Sequence, residues 1–579
     1  MQPRSISHIV FPLGLGFVFI VSLWIRMAFP VVAIGAPHDD MLFASQAVSI
    51  GMGQWLGPYN NLTHAKGAGY PIFLFLNHVT GLPLKVSEHA VYLACALCFA
   101  LTAGQMQRSR KLALVTFVLL AFLPTLWNPG VGGRVVRDNL YISFSLLLLT
   151  LGFRCWCLPT RADGLASVEP LSEQVRAKWP AMIALGLVAG AYWVIREEGV
   201  WLVPSMLVML LYWLWRHRTE LRAWRPLLAM LVIPLGSAAI VVCAVNGANY
   251  VRYGVFRNND FRSADFQAGY GALTRVRHDA WHRYVLFPRE ARQRAYEMSA
   301  AARELQPFFE GQGGENWRAV GCNQTQTSPC PEILSAWFVW ALRDAVASAG
   351  HYRDAQDARQ FYRRLAAEID AGCRQRPQDC LPYRSTLVPP WQPVYAQDTT
   401  YASLAVFKTL LGLGNDIRIG ESWGSPEQVA MFARVTNGTP APLAGAAPVL
   451  PPSLMVRDAV RLRAAQWIGQ QEIRIMTVGL PCMLAVWCLW VVSMLWARKP
   501  PGPALVLATA LVAALFTRVV LLAFLDVTSI PSNNMLYLAP VAPMALALVP
   551  LTLWGFFRFV RPPPDSPDRM VPHPPARIG

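Results

Sequence analysis

Acidic residues are scarce in this 579-residue chain: 34 Asp and Glu stand against 51 Lys and Arg, a formal net charge of +17. Such an excess suits nucleic acid only where basic residues form a face with groove-reading or stacking motifs, and none occurs. No GxxxxGK[ST] is present and no GxGxxG follows a strand-like run, which excludes nucleotide handling through those loops. The polar stretch from 246 to 470 has no long apolar run and no CxxC spacing or paired histidines, so a zinc site there is disfavoured. An internal repeat of the transporter kind is also lacking.

What is abundant is apolar: 54% of residues are hydrophobic and 21 are Trp, too much for one soluble domain of this length. Basic residues cluster between apolar runs, at Arg108-Ser109-Arg110-Lys111, at Arg216-His217-Arg218 with Arg222 and Arg225, and at Arg498-Lys499. Such clusters mark cytoplasmic loops, so topology accounts for most of the charge. Of the cysteines, Cys95, Cys98, Cys155, Cys157, Cys243, Cys482 and Cys488 lie in or beside apolar runs. Cys322, Cys330, Cys373 and Cys380 lie in the polar stretch, where Cys322–Cys330 and Cys373–Cys380 are plausible disulfides, with all three connectivities open.

Runs near the length of one crossing predict about ten helices. The first extends from about Ile9 to Gly35 and reads as a retained helix rather than a signal peptide, being long and holding Arg26. Residues 41–83 suit short interfacial helices. Crossings follow at about Val86–Met106, Leu112–Trp127 and Leu140–Cys157. Two more meet at Arg196-Glu197-Glu198, and a seventh spans about Pro226–Val245. After the polar stretch come Ile473–Trp496, Ala504–Leu525 and Met535–Phe557. The predicted organisation is a transmembrane module over 1–245 with a first external loop at 35–85, an external, mixed or mainly helical soluble domain over 246–470, closing helices over 471–558 and a disordered cytoplasmic tail over 559–579.

Alternation from the basic loops places Asp39-Asp40, Lys66, Arg134, Arg137-Asp138, Arg196-Glu197-Glu198 and the large domain on one, external face. Carboxylates beside guanidiniums at a membrane surface suit chemistry on an anionic, lipid-linked substrate. Moving a sugar from a polyprenyl phosphate to a hydroxyl needs a base for that hydroxyl and cations for the departing phosphate. Other readings stay open residue by residue: Asp40 as a helix cap, Glu197 and Glu198 as a surface pair, Arg196 as a headgroup anchor, and His64 as structural. Arg26 and Arg518, near the external ends of spans, either anchor at headgroups or point into the cavity.

Asp39-Asp40-Met41-Leu42-Phe43 resembles the D-[DE]-x-x-[FY] motif in the first external loop of GT-C membrane glycosyltransferases, such as protein O-mannosyltransferases and lipid A aminoarabinose transferases. Arg137-Asp138 resembles the acidic position of that family's second external loop. Arg196, followed by Gly199 and Pro204, is similar to its basic residue that contacts the donor phosphate. The stretch Lys66-Gly67-Ala68-Gly69-Tyr70-Pro71 looks like its substrate-facing segment. Tyr537-Leu538-Ala539-Pro540 is similar to R-Y-x-x-P, with Leu536 where the Arg belongs, and Arg518, Arg252 or Arg257 are the candidates to replace it. The resemblance covers about the first 210 residues, the last helix weakly and the external domain hardly at all.

The resemblance implies a GT-C-like α-helical membrane fold and an inverting glycosyltransferase. The donor would be a polyprenyl-phosphate-linked sugar, and the acceptor a glycan, lipid or protein of the cell envelope. Asp39 would be the base, with Asp40 and Asp138 as the other catalytic candidates. Lys66, Tyr70, Arg134, Arg137, Arg196 and Glu197 are the substrate-binding candidates. Metal ligands are not assigned, and a divalent cation on His38, Asp39 and Asp40 stays open. The expected partners are the donor, the acceptor and membrane lipids, not nucleic acid. The expected location is a bacterial inner (plasma) membrane with the site on the external, periplasmic side. A flippase for lipid-linked sugars would place its charges at mid-membrane with repeat symmetry, and a noncatalytic assembly protein would leave Asp39 without a role.

Overall fold

Apolar runs bounded by Pro, Gly and basic clusters form helices because a backbone facing lipid must satisfy its hydrogen bonds within its own segment. The computed structural model describes residues 4–159, 170–220, 224–279, 284–325, 332–414, 416–445 and 452–561. Among these residues the chain is helical, with isolated β-bridges and no strands. Nine of the described helices are long and apolar enough to cross a membrane: Ile9–Arg26, Leu84–Met106, Asp138–Trp156, Leu171–Ile195, Gly199–Arg216, Trp224–Tyr253, Val456–Trp496, Pro503–Thr528 and Ala542–Val560. This composition is that of an integral membrane protein. The expected tail lies outside the described residues from 562 onward.

One predicted crossing is corrected. The stretch expected at Leu112–Trp127 forms a helix over Arg110–Ala121 of only 12 residues, roughly 18 Å against the 30 Å of a hydrocarbon core. Pro124 stops it, lacking an N–H and crowding the preceding turn. Residues 122–137 finish the traverse through a 3-10 turn at Pro124–Leu126 and a π-helical turn at Pro129–Gly133, where Thr125, Trp127, Val131, Gly132 and Val135 are buried. The chain still returns to the same end, because Lys85 Nζ, at the start of the second crossing, donates to Arg134 O at 2.5 Å. Alternation therefore survives a helix too short to span.

Close packing follows small residues. A methyl group at Gly186 or Gly190 would run into Pro234, Ala238 and Val241, so these glycines let Leu171–Ile195 lie against Trp224–Tyr253. The first helix ends at Arg26, and residues 31–34 continue as extended chain bridged to Arg134, Trp423 and Pro440.

The polar stretch divides by core. Its first part carries its own, built from Phe266, Tyr270, Phe287, Phe338, Leu342, Phe361 and Leu365. The Ala355–Gln375 helix shows why: Asp354 caps it through Gln356 and Asp357 N–H, and Ala358, Phe361, Leu365 and Ile369 recur on one face. A Cys373–Cys380 disulfide closes its end, and the proposed Cys322–Cys330 pairing falls partly outside the described residues, at Cys330. The later part packs on the membrane module: Val406 and Leu410 enter the main core, and Phe432 and Val435 cluster with Val31, Phe43, Tyr70 and Ile195.

Candidate functional site

Asp39 sits just before the Asp40–Gly51 helix, in the capping position, yet its side chain makes no capping hydrogen bond. It pairs with Lys66, with Arg134 Nη2 3.7 Å away, and its side chain is 49% exposed. Asp40 is fully enclosed, accepting from Arg134 Nη2 at 2.5 Å, Arg134 Nε at 3.3 Å and Val135 N at 3.2 Å. Two adjacent carboxylates thus have opposite settings, one sealed and one open. Burial pushes the Asp40 carboxyl up, and the Arg134 guanidinium against it pulls the other way.

Lys66 reaches Asp39 because the chain behind it packs without side chains. A methyl at Gly67 or Gly69 would strike Val194 or Ile195, so only glycine lets this turn press against the end of Leu171–Ile195. Three consecutive residues of the polar stretch hold the turn from the other side. Asp260 N donates to His64 O at 2.8 Å, Asn259 Nδ2 to Ala65 O at 3.1 Å, and Ala68 N to Asn258 Oδ1 at 3.3 Å. The ammonium lies 5.1 Å from the Phe43 ring centre and 5.6 Å from that of Trp340. Burial, with Arg137 nearby, lowers the Lys66 pKa well below its ordinary value.

Opposite this pair, Arg196 at the end of Leu171–Ile195 meets Asp138 at the start of the next-lying span. Its Nε and Nη2 both donate to Glu198 Oε2, at 3.0 and 2.8 Å. The Tyr141 and Tyr537 rings flank the guanidinium at 5.3 and 6.0 Å. Burial disfavours charge on Arg196, but Asp138 and Glu198 outweigh it and raise its pKa. Arg137 donates to Ile195 O at 3.3 Å and lies 3.9 Å from Glu197 Oε2. Asp39, Asp40, Lys66, Arg134, Arg137, Asp138, Arg196 and Glu197 are thereby linked at one end of the spans.

Tyr70 is placed beneath the site rather than on it: it is fully buried, and its hydroxyl donates to Glu88 at 2.7 Å. Glu88 also takes Lys85 at 2.8 Å, so Tyr70, Glu88 and Lys85 brace the Arg134 backbone from below. His38, Asp39 and Asp40 diverge, with His38 turning 3.6 Å from Asp344 and between the Trp317 and Trp340 rings. Among the described residues no group of three or more His, Cys, Asp or Glu is gathered to hold a metal. Arg518 does not fill the place of the missing motif Arg, since its Nε and Nη2 are held by Tyr537 O at 2.9 and 2.6 Å. Arg257 is engaged with Asp260 at 2.7 Å, and Arg26 holds the Phe29 and Gly132 carbonyls at 3.1 and 2.8 Å.

Sequence reasoning missed Trp340, Asp344 and the Asn258-Asn259-Asp260 clamp, whose proximity comes only from the fold. Lys85 and Glu88 did carry a signal, as ionisable residues just inside an apolar run.

No family model and no curated protein matches the chain. Among solved structures, it is similar to ArnT from Cupriavidus metallidurans bound to undecaprenyl phosphate, at 13% identity, over 94% of this chain and 77% of that one, with a TM-score of 0.30. The apo state of the same protein aligns at 14% identity, over 96% and 78% of the two chains, with a TM-score of 0.30.

Proposed function

We propose that this protein is an inverting GT-C-type membrane glycosyltransferase, acting on the external face of a bacterial plasma membrane. It moves a sugar from a polyprenyl phosphate to a glycan, lipid or protein of the cell envelope. The observation that carries this reading is one open carboxylate, Asp39, beside a sealed framework of Arg134–Asp40 and Arg196–Asp138 pairs. The order of the motifs along the first 210 residues supports it too.

In the proposed reaction Asp39 accepts the proton of the acceptor hydroxyl as its oxygen bonds to the sugar's anomeric carbon. The bond from that carbon to the phosphate oxygen breaks on the opposite face, and its electron pair leaves with the phosphate. Arg196 and Arg137 offset the charge that builds there, and being already held by Asp138 and Ile195 O they need little reorganisation. Lys66 holds the Asp39 side chain in place. Asp138 orients Arg196 in this scheme, and Asp40 holds Arg134.

The test is Asp39→Asn in membranes supplied with polyprenyl-phosphate sugars and candidate acceptors. A loss of about 10²–10⁴-fold in transfer is expected for removal of a general base. Unchanged transfer rejects the base assignment, and lipid export without any transfer identifies a transporter instead.

A further inference from the structure

We propose that Glu198 is an exchangeable carboxylate: it occupies the position on Arg196 that an anionic phosphate headgroup takes, and so competes with that headgroup for the guanidinium. This rests on the proposed function for the identity of the lipid, though not for the geometry. Arg196 has two carboxylate partners that differ in one respect. Asp138 and Arg196 are 8% and 6% exposed at the side chain, whereas Glu198 is 51% exposed. One partner is locked into the protein and the other stands at the open edge.

The guanidinium does not depend on Glu198 for its place. Asp138 holds Nη1, the Tyr141 ring lies 5.3 Å off, and Arg196 N donates to Tyr192 O at 2.9 Å. Glu198 depends on Arg196 in turn: it precedes the Gly199–Leu202 turn without capping it, and among the described residues its carboxylate bonds only to Arg196. A rotation of its side chain into solvent therefore bares Nε and Nη2 while leaving the backbone still. Gly199 packs on the Tyr192 ring, which keeps that backbone fixed.

A phosphate oxygen is the same kind of acceptor as Glu198 Oε2, and both cannot hold Nε and Nη2 together. A headgroup with negative charge replaces what Glu198 gave. A neutral prenol brings no charge to take the place of Glu198, so its binding does not depend on that carboxylate. Glu198 therefore weakens phosphate binding by competing for Arg196.

The experiment measures binding of undecaprenyl phosphate and of undecaprenol to the full-length protein in nanodiscs, for wild type, Glu198→Gln and Arg196→Gln. Glu198→Gln is expected to bind the phosphate about tenfold more tightly, from loss of one competing charge-assisted contact, with undecaprenol binding unchanged. Arg196→Gln should remove the gain. Equal or weaker phosphate binding by Glu198→Gln overturns the exchange while leaving the glycosyltransferase reading intact. Phosphate binding absent from both wild type and Glu198→Gln overturns the exchange and the donor assignment together.

Discussion

Charges are buried in two regions of this molecule, and they are buried differently. In the helical part of the polar stretch, Arg343 donates to Asp260 at 3.0 Å and to Asn61 O at 2.6 Å, and Arg292 donates to Glu310 and Glu332, each at 2.8 Å. Arg343 and Asp260 are both enclosed. At the membrane end the buried cations Lys66 and Arg196 each keep one partner, Asp39 or Glu198, half in solvent. A fully enclosed pair loses much when broken, since the remaining charge has no solvent. A half-exposed partner can leave at small cost. The first arrangement fixes a fold and the second leaves a partner free to move.

The largest expected effect is on the enclosed side. Arg343→Met leaves buried Asp260 with one cation fewer and removes the hydrogen bond from the Ser335–Ser348 helix to Asn61 O, for a loss of about 3–5 kcal/mol. Hydrogen exchange across residues 284–375 reads it. A change within experimental error would remove the distinction between the two regions.

His64 tests the same region by pH. It is fully buried 3.9 Å from Asp260, and burial lowers its pKa to about 4. A histidine whose folded pKa is depressed contributes stability that is complete above its unfolded value near 6.5. That stability is lost as pH falls from about 6.5 toward 4, up to about 3 kcal/mol. His64→Gln should flatten thermal stability over that interval, and an unaltered slope assigns the titration elsewhere.

Tyr70→Phe comes next. It removes one buried hydrogen bond to Glu88, costing about 1–3 kcal/mol, and should lower thermal stability while leaving lipid binding in place. A selective loss of substrate binding instead would return Tyr70 to the site surface.

The smallest change is predicted at the open edge. Glu198→Gln should alter thermal stability by less than about 1 kcal/mol, as exposed ion pairs do. A loss as large as that of Arg343→Met would show that Glu198 is structural and that the membrane-end pairs are enclosed in practice.

Much of the helical plan was legible, because a span announces itself by length and hydrophobicity alone. The short Arg110–Ala121 helix was not, since the buried return through Pro124 and Gly133 depends on neighbours that cover its backbone. Asp39, Lys66, Arg137 and Arg196 stood out as charges beside apolar runs. Trp340 and Asn259 did not, lying in a polar stretch where nothing local marks which residues meet the first loop. Tyr70 drew attention as an aromatic near charge, and burial by packing decided against a surface position.

The sequence by itself determined the order of the long apolar helices, the basic loops between them, and hence that Asp39 and Asp40 share an end of the bundle with Arg134, Arg137, Asp138 and Arg196. Local composition suffices for that, because lipid demands long apolar segments whatever they pack against. Only the tertiary structure decided which of the two adjacent carboxylates is sealed and which is open. Arg134 and Val135, about a hundred positions along the chain, close over Asp40, while Lys66 meets Asp39 from a glycine-rich turn and leaves it facing solvent. Exposure is a property of what covers a residue, and the covering comes from elsewhere in the chain.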